Sequence, residues 1–81
     1  MIKETIFLKT LNDVKDFVSL AMSKPYDIEL TWTKYVVNAK SIMGVFSLDL
    51  TYPLTVIANT DDDADFLTEI NPYIYSLDDK K

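Results

Sequence analysis

Val37-Asn38-Ala39-Lys40-Ser41-Ile42-Met43-Gly44-Val45-Phe46-Ser47-Leu48 is the stretch on which the fold turns. It leaves an aromatic and β-branched run, Tyr35, Val36 and Val37, that favours extended backbone, and meets Ser41 just before the short apolar segment Ile42 to Leu48. Serine in that place is a preferred helix N-cap, because its hydroxyl accepts a hydrogen bond from an N–H that the first helical turn leaves without a partner. The expected order is therefore strand, tight connection, short helix, with Gly44, the chain's single glycine, inside that helix. Ile42, Met43 and Phe46 follow at i, i+1 and i+4: if exposed they make an apolar docking patch, and if buried they are core.

Toward the amino terminus, Thr33-Lys34 separates this strand from Tyr26, Ile28, Leu30 and Trp32, which alternate with Asp27, Glu29, Thr31 and Thr33 as a half-buried strand does. A hairpin is expected, although the usual Asn-Gly or Asp-Gly turn is absent. Lys24-Pro25 closes a preceding amphipathic helix whose apolar stripe is Leu11, Val14, Phe17, Val18 and Ala21, and Thr10 with Asp13 three residues later reads as a capping box at its start. Before it, Ile2, Ile6 and Leu8 share one face of a first strand. Toward the carboxyl terminus, Pro53 opens a fourth strand in which Leu54, Val56 and Ala58 alternate with Thr55, Ile57 and Asn59. Asp61, Asp62, Asp63 and Asp65 place negative charge at the start of a last helix with the stripe Leu67, Ile70, Ile74 and Leu77, which Pro72 should kink or split. Asp78 to Lys81 read as a frayed tail. The order strand, helix, strand, strand, helix, strand, helix is most simply folded as one amphipathic sheet with helices on its apolar face, an α+β two-layer sandwich.

Composition removes whole classes of function. The chain has 81 residues, room for one small core and no second domain. Its net charge is -5 and all eight basic residues are lysines, so a nucleic-acid groove lacks its commonest residue and no direct nucleic-acid partner is expected. With no histidine and no cysteine there is no disulfide, no Cys/His metal site, no His-activated nucleophile and no phosphohistidine. A lone glycine makes neither a phosphate-cradling loop nor a dinucleotide fingerprint, so no cofactor is expected. The aspartate run lacks the glycine and the distal glutamate of a calcium loop and reads as helix-start charge, with no metal site expected. Trp32 and the tyrosines read as core and hairpin residues, since no basic strip accompanies them as a base-stacking platform would require. Charges at Lys3, Glu4 and Lys9 interrupt the amino terminus where a signal peptide needs an apolar run, so a cytoplasmic protein without a membrane partner is expected.

The twelve residues from Val37 to Leu48 resemble the signature around the regulatory serine of HPr, the phosphocarrier protein of the bacterial sugar phosphotransferase system. The resemblance implies an HPr-like open-faced sandwich, βαββαβα, with a four-stranded antiparallel sheet and three helices on one face, as a single domain over 1–81. In that family a histidine at the start of the first helix, followed by an arginine and a proline, carries phosphate; the corresponding Thr10 to Asp13 here reads Thr-Leu-Asn-Asp, and carriage on histidine is chemically excluded. The chain is similar in this respect to Crh, whose serine is phosphorylated by HPr kinase/phosphorylase and whose phosphoserine form binds the catabolite control protein CcpA. The resemblance thus implies a non-enzymatic regulatory protein phosphorylated at Ser41, with Lys40, Ile42, Met43 and Phe46 at the partner contact and the apolar three partly exposed. The alternative is a constitutive interaction module that uses Ile42, Met43 and Phe46 with no phosphorylation. The oligomeric state is open.

Overall fold

The structure, a computed structural model, describes residues 1–61 and 63–75. Its elements are β1 (Ile2–Ile6), α1 (Leu11–Met22), β2 (Ile28–Trp32), β3 (Tyr35–Asn38), α2 (Ile42–Phe46), β4 (Leu54–Ala58) and α3 (Ala64–Ile70), followed by a single 3-10 turn, Asn71–Tyr73. The expected order of strands and helices is borne out. The expected contributions of Asp62, Leu77 and the tail 78–81 lie outside the described residues.

One antiparallel sheet runs β1-β4-β2-β3, so β4, the last strand in sequence, sits in the centre between β1 and β2. The register follows from alternation: Ile28 faces Ala58, Leu30 faces Val56, and Ile6 faces Leu54, which puts the apolar residues of three strands on one side. Those six side chains are buried, whereas Lys3, Thr5 and Glu29 on the opposite side are exposed. All three helices close the apolar side: α1 contributes Val14, Phe17, Val18 and Ala21, α2 contributes Val45, and α3 contributes Phe66 and Ile70. Among the described residues no buried polar or charged residue interrupts this core. Among the described residues no helix is long and apolar enough to cross a membrane.

The helix ends obey local chemistry. Thr10 and Asp13 form the expected capping box: the Asp13 amide donates to Thr10 Oγ1 at 3.0 Å and the Thr10 amide to Asp13 Oδ2 at 3.3 Å. Asp63 caps α3 by accepting from the Phe66 amide at 3.0 Å, and its other oxygen accepts from the Tyr26 hydroxyl at 2.6 Å. The Tyr26 hydroxyl and the Phe66 amide hold the Asp63 carboxyl below the usual carboxylate range, while burial and the bond to Asp63 push the Tyr26 phenol above its usual value.

Four expectations are corrected. Leu11, placed in the buried stripe of α1, is 57% exposed: as the first residue of the helix it lines a shallow surface cavity with Phe46 and Leu50 and is not in the core. Tyr26 precedes β2 rather than starting it, its hydroxyl being drawn to Asp63. Ile74 leaves the helical stripe: α3 ends at Ile70, Pro72 directs one 3-10 turn, and Ile74 then forms an isolated antiparallel bridge with Ile6, the last residue of β1. Tyr52 is neither core nor hairpin: it lies in the loop before β4 and is more than half exposed. The hairpin is tight, closing from Trp32 to Tyr35 with Thr33 at φ 53°, an uncommon state for a β-branched residue that stands in for the missing glycine or asparagine.

Candidate functional site

Of the residues singled out around Ser41, Ile42, Met43 and Phe46 are exposed with it, whereas Lys40 is not. The chain leaves β3 at Asn38, buries Ala39, and turns so that the Ser41 amide donates to the Asn38 carbonyl at 3.0 Å. Ser41 has extended backbone and its Oγ accepts from the Gly44 amide at 3.2 Å, the expected N-cap. A Cβ at Gly44 would lie 3.3 Å from Ser41 Oγ, close enough to press on the capping hydroxyl, and in ordinary contact, at 3.5 Å, with Val37 Cβ. Helix α2 ends at Phe46, earlier than the apolar run to Leu48 suggested, because Ser47 turns its hydroxyl back onto the Gly44 carbonyl.

A five-residue helix has little stability of its own, so its cap matters. Ser41→Ala is expected to lower unfolding stability by about 1 kcal/mol, while Ser41→Asp, which keeps an acceptor and adds favourable charge at the helix start, should stay near wild type. Urea unfolding of the three proteins checks this; equal midpoints for wild type and Ser41→Ala would show that the hydroxyl does not cap.

Val45 is the residue α2 gives to the core, which turns the rest of the helix outward. Met43 is 77% exposed, Phe46 42% and Ile42 36%, an apolar surface beside the exposed Ser41. Phe46 also lines a shallow cavity of about 280 Å³ toward the start of α1, together with Thr10, Leu11, Val14 and Leu50. Leu11 therefore extends the same apolar surface. The sequence reading missed it because helical spacing assigned it to the stripe. Lys40 is directed elsewhere: its Nζ donates to the Lys24 carbonyl at 2.9 Å, tying the connection before α2 to the end of α1.

Few polar groups at this surface are free to do chemistry. At the start of α1 the Asp13 carboxylate is engaged by the amides of Lys9, at 3.0 Å, and Thr10. Ser41 Oγ is engaged as an acceptor but its proton remains available, and no general base stands within hydrogen-bonding distance of it among the described residues. What the surface offers is exposed apolar area with the exposed Ser41 hydroxyl at its edge.

No family model matches the chain, and no curated protein matches it. Solved structures do. HPr-C-His from Thermoanaerobacter tengcongensis superposes with a TM-score of 0.75 at 27% identity over 91% of each chain. The phosphocarrier protein HPr from Bacillus anthracis str. Ames gives 0.69 at 23% identity, over 91% of this chain and 96% of its own. The histidine-containing phosphocarrier protein of a mycoplasma gives 0.70 at 17% identity, over 88% of this chain and 89% of its own. The architecture is the HPr fold.

Proposed function

We propose that this chain is an HPr-like regulatory binding protein related to the bacterial sugar phosphotransferase system, a single domain over 1–81 that does not transfer phosphate on histidine and is switched by phosphorylation at Ser41. The observation that carries this reading is the exposed apolar surface of Ile42, Met43 and Phe46 lying beside an exposed, modifiable serine on an HPr fold. The structural neighbours are named as phosphocarriers, and this chain departs from them in chemistry: it has no imidazole. At the start of α1, where the family holds its histidine, the carboxylate of Asp13 takes the amides instead. Contact is what remains of the family's equipment.

Phosphorylation would exchange the Ser41 hydroxyl for a group carrying about -1.5 to -2 charge, against the free amides of the first turn of α2 and beside Met43. That supplies acceptors for basic residues of a partner next to an apolar anchor, a combination suited to a CcpA-like regulator. HPr kinase/phosphorylase would be the modifying partner, and both belong in the cytoplasm. A second reading, constitutive binding, is favoured by the fact that Met43 and Phe46 are already exposed while Ser41 is unmodified.

Incubation with ATP and an HPr kinase/phosphorylase, followed by measurement of the intact mass, separates the two. The expected result is addition of one phosphoryl group that Ser41→Ala abolishes. An unchanged mass, under conditions in which the kinase modifies an HPr control, would overturn the switch and leave the constitutive module.

A further inference from the structure

A second surface lies past the carboxyl end of α2, where the β2–β3 hairpin meets the loop that leads into β4. Trp32 and Tyr35 close the hairpin as a directly opposed pair, and Tyr52 comes in from the loop. The three rings are nearly parallel: Tyr35 lies 6.1 Å from Trp32 at 14°, and Tyr52 lies 5.6 Å from it at 20°. Such stacking rigidifies side chains that would otherwise be loose, and both tyrosines remain about half exposed. Beside the stack runs an open groove of about 480 Å³, bounded by Trp32, Tyr35, Val37, Ser47, Leu48 and Asp49.

The groove has a charged wall. Asp49 places both bonds from Thr51, the amide at 3.1 Å and the hydroxyl at 2.6 Å, on Oδ1, so the loop orients the carboxylate while Oδ2 stays open. These bonds hold its carboxyl below the usual carboxylate range, and it makes no ion pair among the described residues. Negative charge and electron-rich ring faces on one groove attract the same kind of group, a planar cation that can stack and donate at once. A neutral apolar segment would leave the carboxylate idle, and an anionic one would be repelled by it and by the net charge of -5.

We infer that this groove seats an arginine side chain of a protein partner, with the guanidinium donating to Asp49 and lying against the Trp32–Tyr35 stack. This surface is separate from the Ser41 reading and stands or falls without it. Arginine is the favoured cation because this chain has none of its own to compete for the site, and because a guanidinium continues a parallel stack where an ammonium does not.

The single tryptophan of the chain lies in the groove and reports on it directly. The probe is an acetylated glycine pentapeptide bearing two arginines, titrated against Trp32 fluorescence, with an analogue in which citrulline replaces arginine. A saturable change with the arginine peptide, much weaker for citrulline, is expected. Asp49→Asn keeps the acceptor for Thr51 and removes the charge, and should weaken binding by roughly three- to tenfold. Asp65→Asn, on α3, should leave it unchanged. The inference is overturned if the arginine peptide causes no saturable change at millimolar concentration, or if citrulline binds as well. Equal weakening by Asp65→Asn would reduce the effect to general charge attraction and overturn it too. Tighter binding of a neutral proline-rich peptide would make the groove an apolar one and likewise overturn it. Should Asp49→Asn fail to fold by thermal unfolding, Tyr35→Ala, at an exposed ring, gives the same comparison.

Discussion

Phe66→Ala is expected to lower the free energy of unfolding by about 3–5 kcal/mol, the largest stability loss from any single side chain of α3. The ring is fully buried, and with Ile70 it is one of the two core anchors of a seven-residue helix. A helix this short holds its place through packing rather than propensity, so loss of the ring removes both transfer energy and the reason for α3 to dock. The ring also meets Tyr26 edge to face at 6.2 Å, and the Phe66 amide is the one that Asp63 caps. Loosening α3 therefore loosens the Tyr26–Asp63 bond and the Lys24–Glu69 ion pair, at 2.8 Å, that brace it against the end of α1. A domain of this size has about 5–15 kcal/mol in total, so Phe66→Ala should lower the melting temperature by more than about 10 °C. Phe66→Leu, which keeps most of the volume, should cost less than about 1.5 kcal/mol. A melting temperature for Phe66→Ala within a few degrees of wild type would show that α3 does not rely on this ring.

What was legible in the sequence divides along the range of the forces involved. Ile28 and Leu30 announce their strand because burial on one face demands alternation, and the same demand on Leu54, Val56 and Ala58 sets the register between β2 and β4. The caps at Thr10 and Ser41 were equally plain, since a side chain bonding an amide three residues on is wholly local. Ile74 misled because it stands four residues after Ile70, a helical interval, while Pro72 between them ends that periodicity and turns the chain to the edge of β1. Leu11 and Tyr52 misled for a different reason. Each is apolar or aromatic enough for the core, but one opens α1 and the other lies in the loop before β4, and no local pattern records which neighbours the tertiary fold brings to such positions. The groove at Asp49 was invisible for that reason too: hairpin and loop meet through the tertiary fold, and an aspartate before a threonine reads as nothing more than a turn.

Phe46→Glu is expected to abolish capture of the partner, a loss of at least about tenfold in affinity, while leaving the melting temperature close to wild type. The two halves of this expectation come from the same geometry. Val45, one position earlier, is fully buried and anchors α2, so the helix stays docked without Phe46. Phe46 is 42% exposed, shares α2 with Met43 and lines the shallow cavity with Leu11, so it belongs to both parts of the apolar surface. A central apolar anchor dominates an interface because its neighbours keep water away from it, and a carboxylate in its place would have to be buried unpaired. Met43→Glu, at a more exposed and more adaptable side chain, should weaken capture less. Parallel thermal unfolding and affinity capture on wild type, Phe46→Glu, Met43→Glu and Ser41→Ala give each reading a distinct signature. Loss of several kcal/mol of stability in Phe46→Glu would assign the ring to the core and remove the docking surface. Capture that survives Phe46→Glu but requires phosphorylated Ser41 would move recognition onto the phosphoryl group. Capture lost in Phe46→Glu and intact in Ser41→Ala would identify the constitutive module, because the apolar surface is already open when the serine is unmodified.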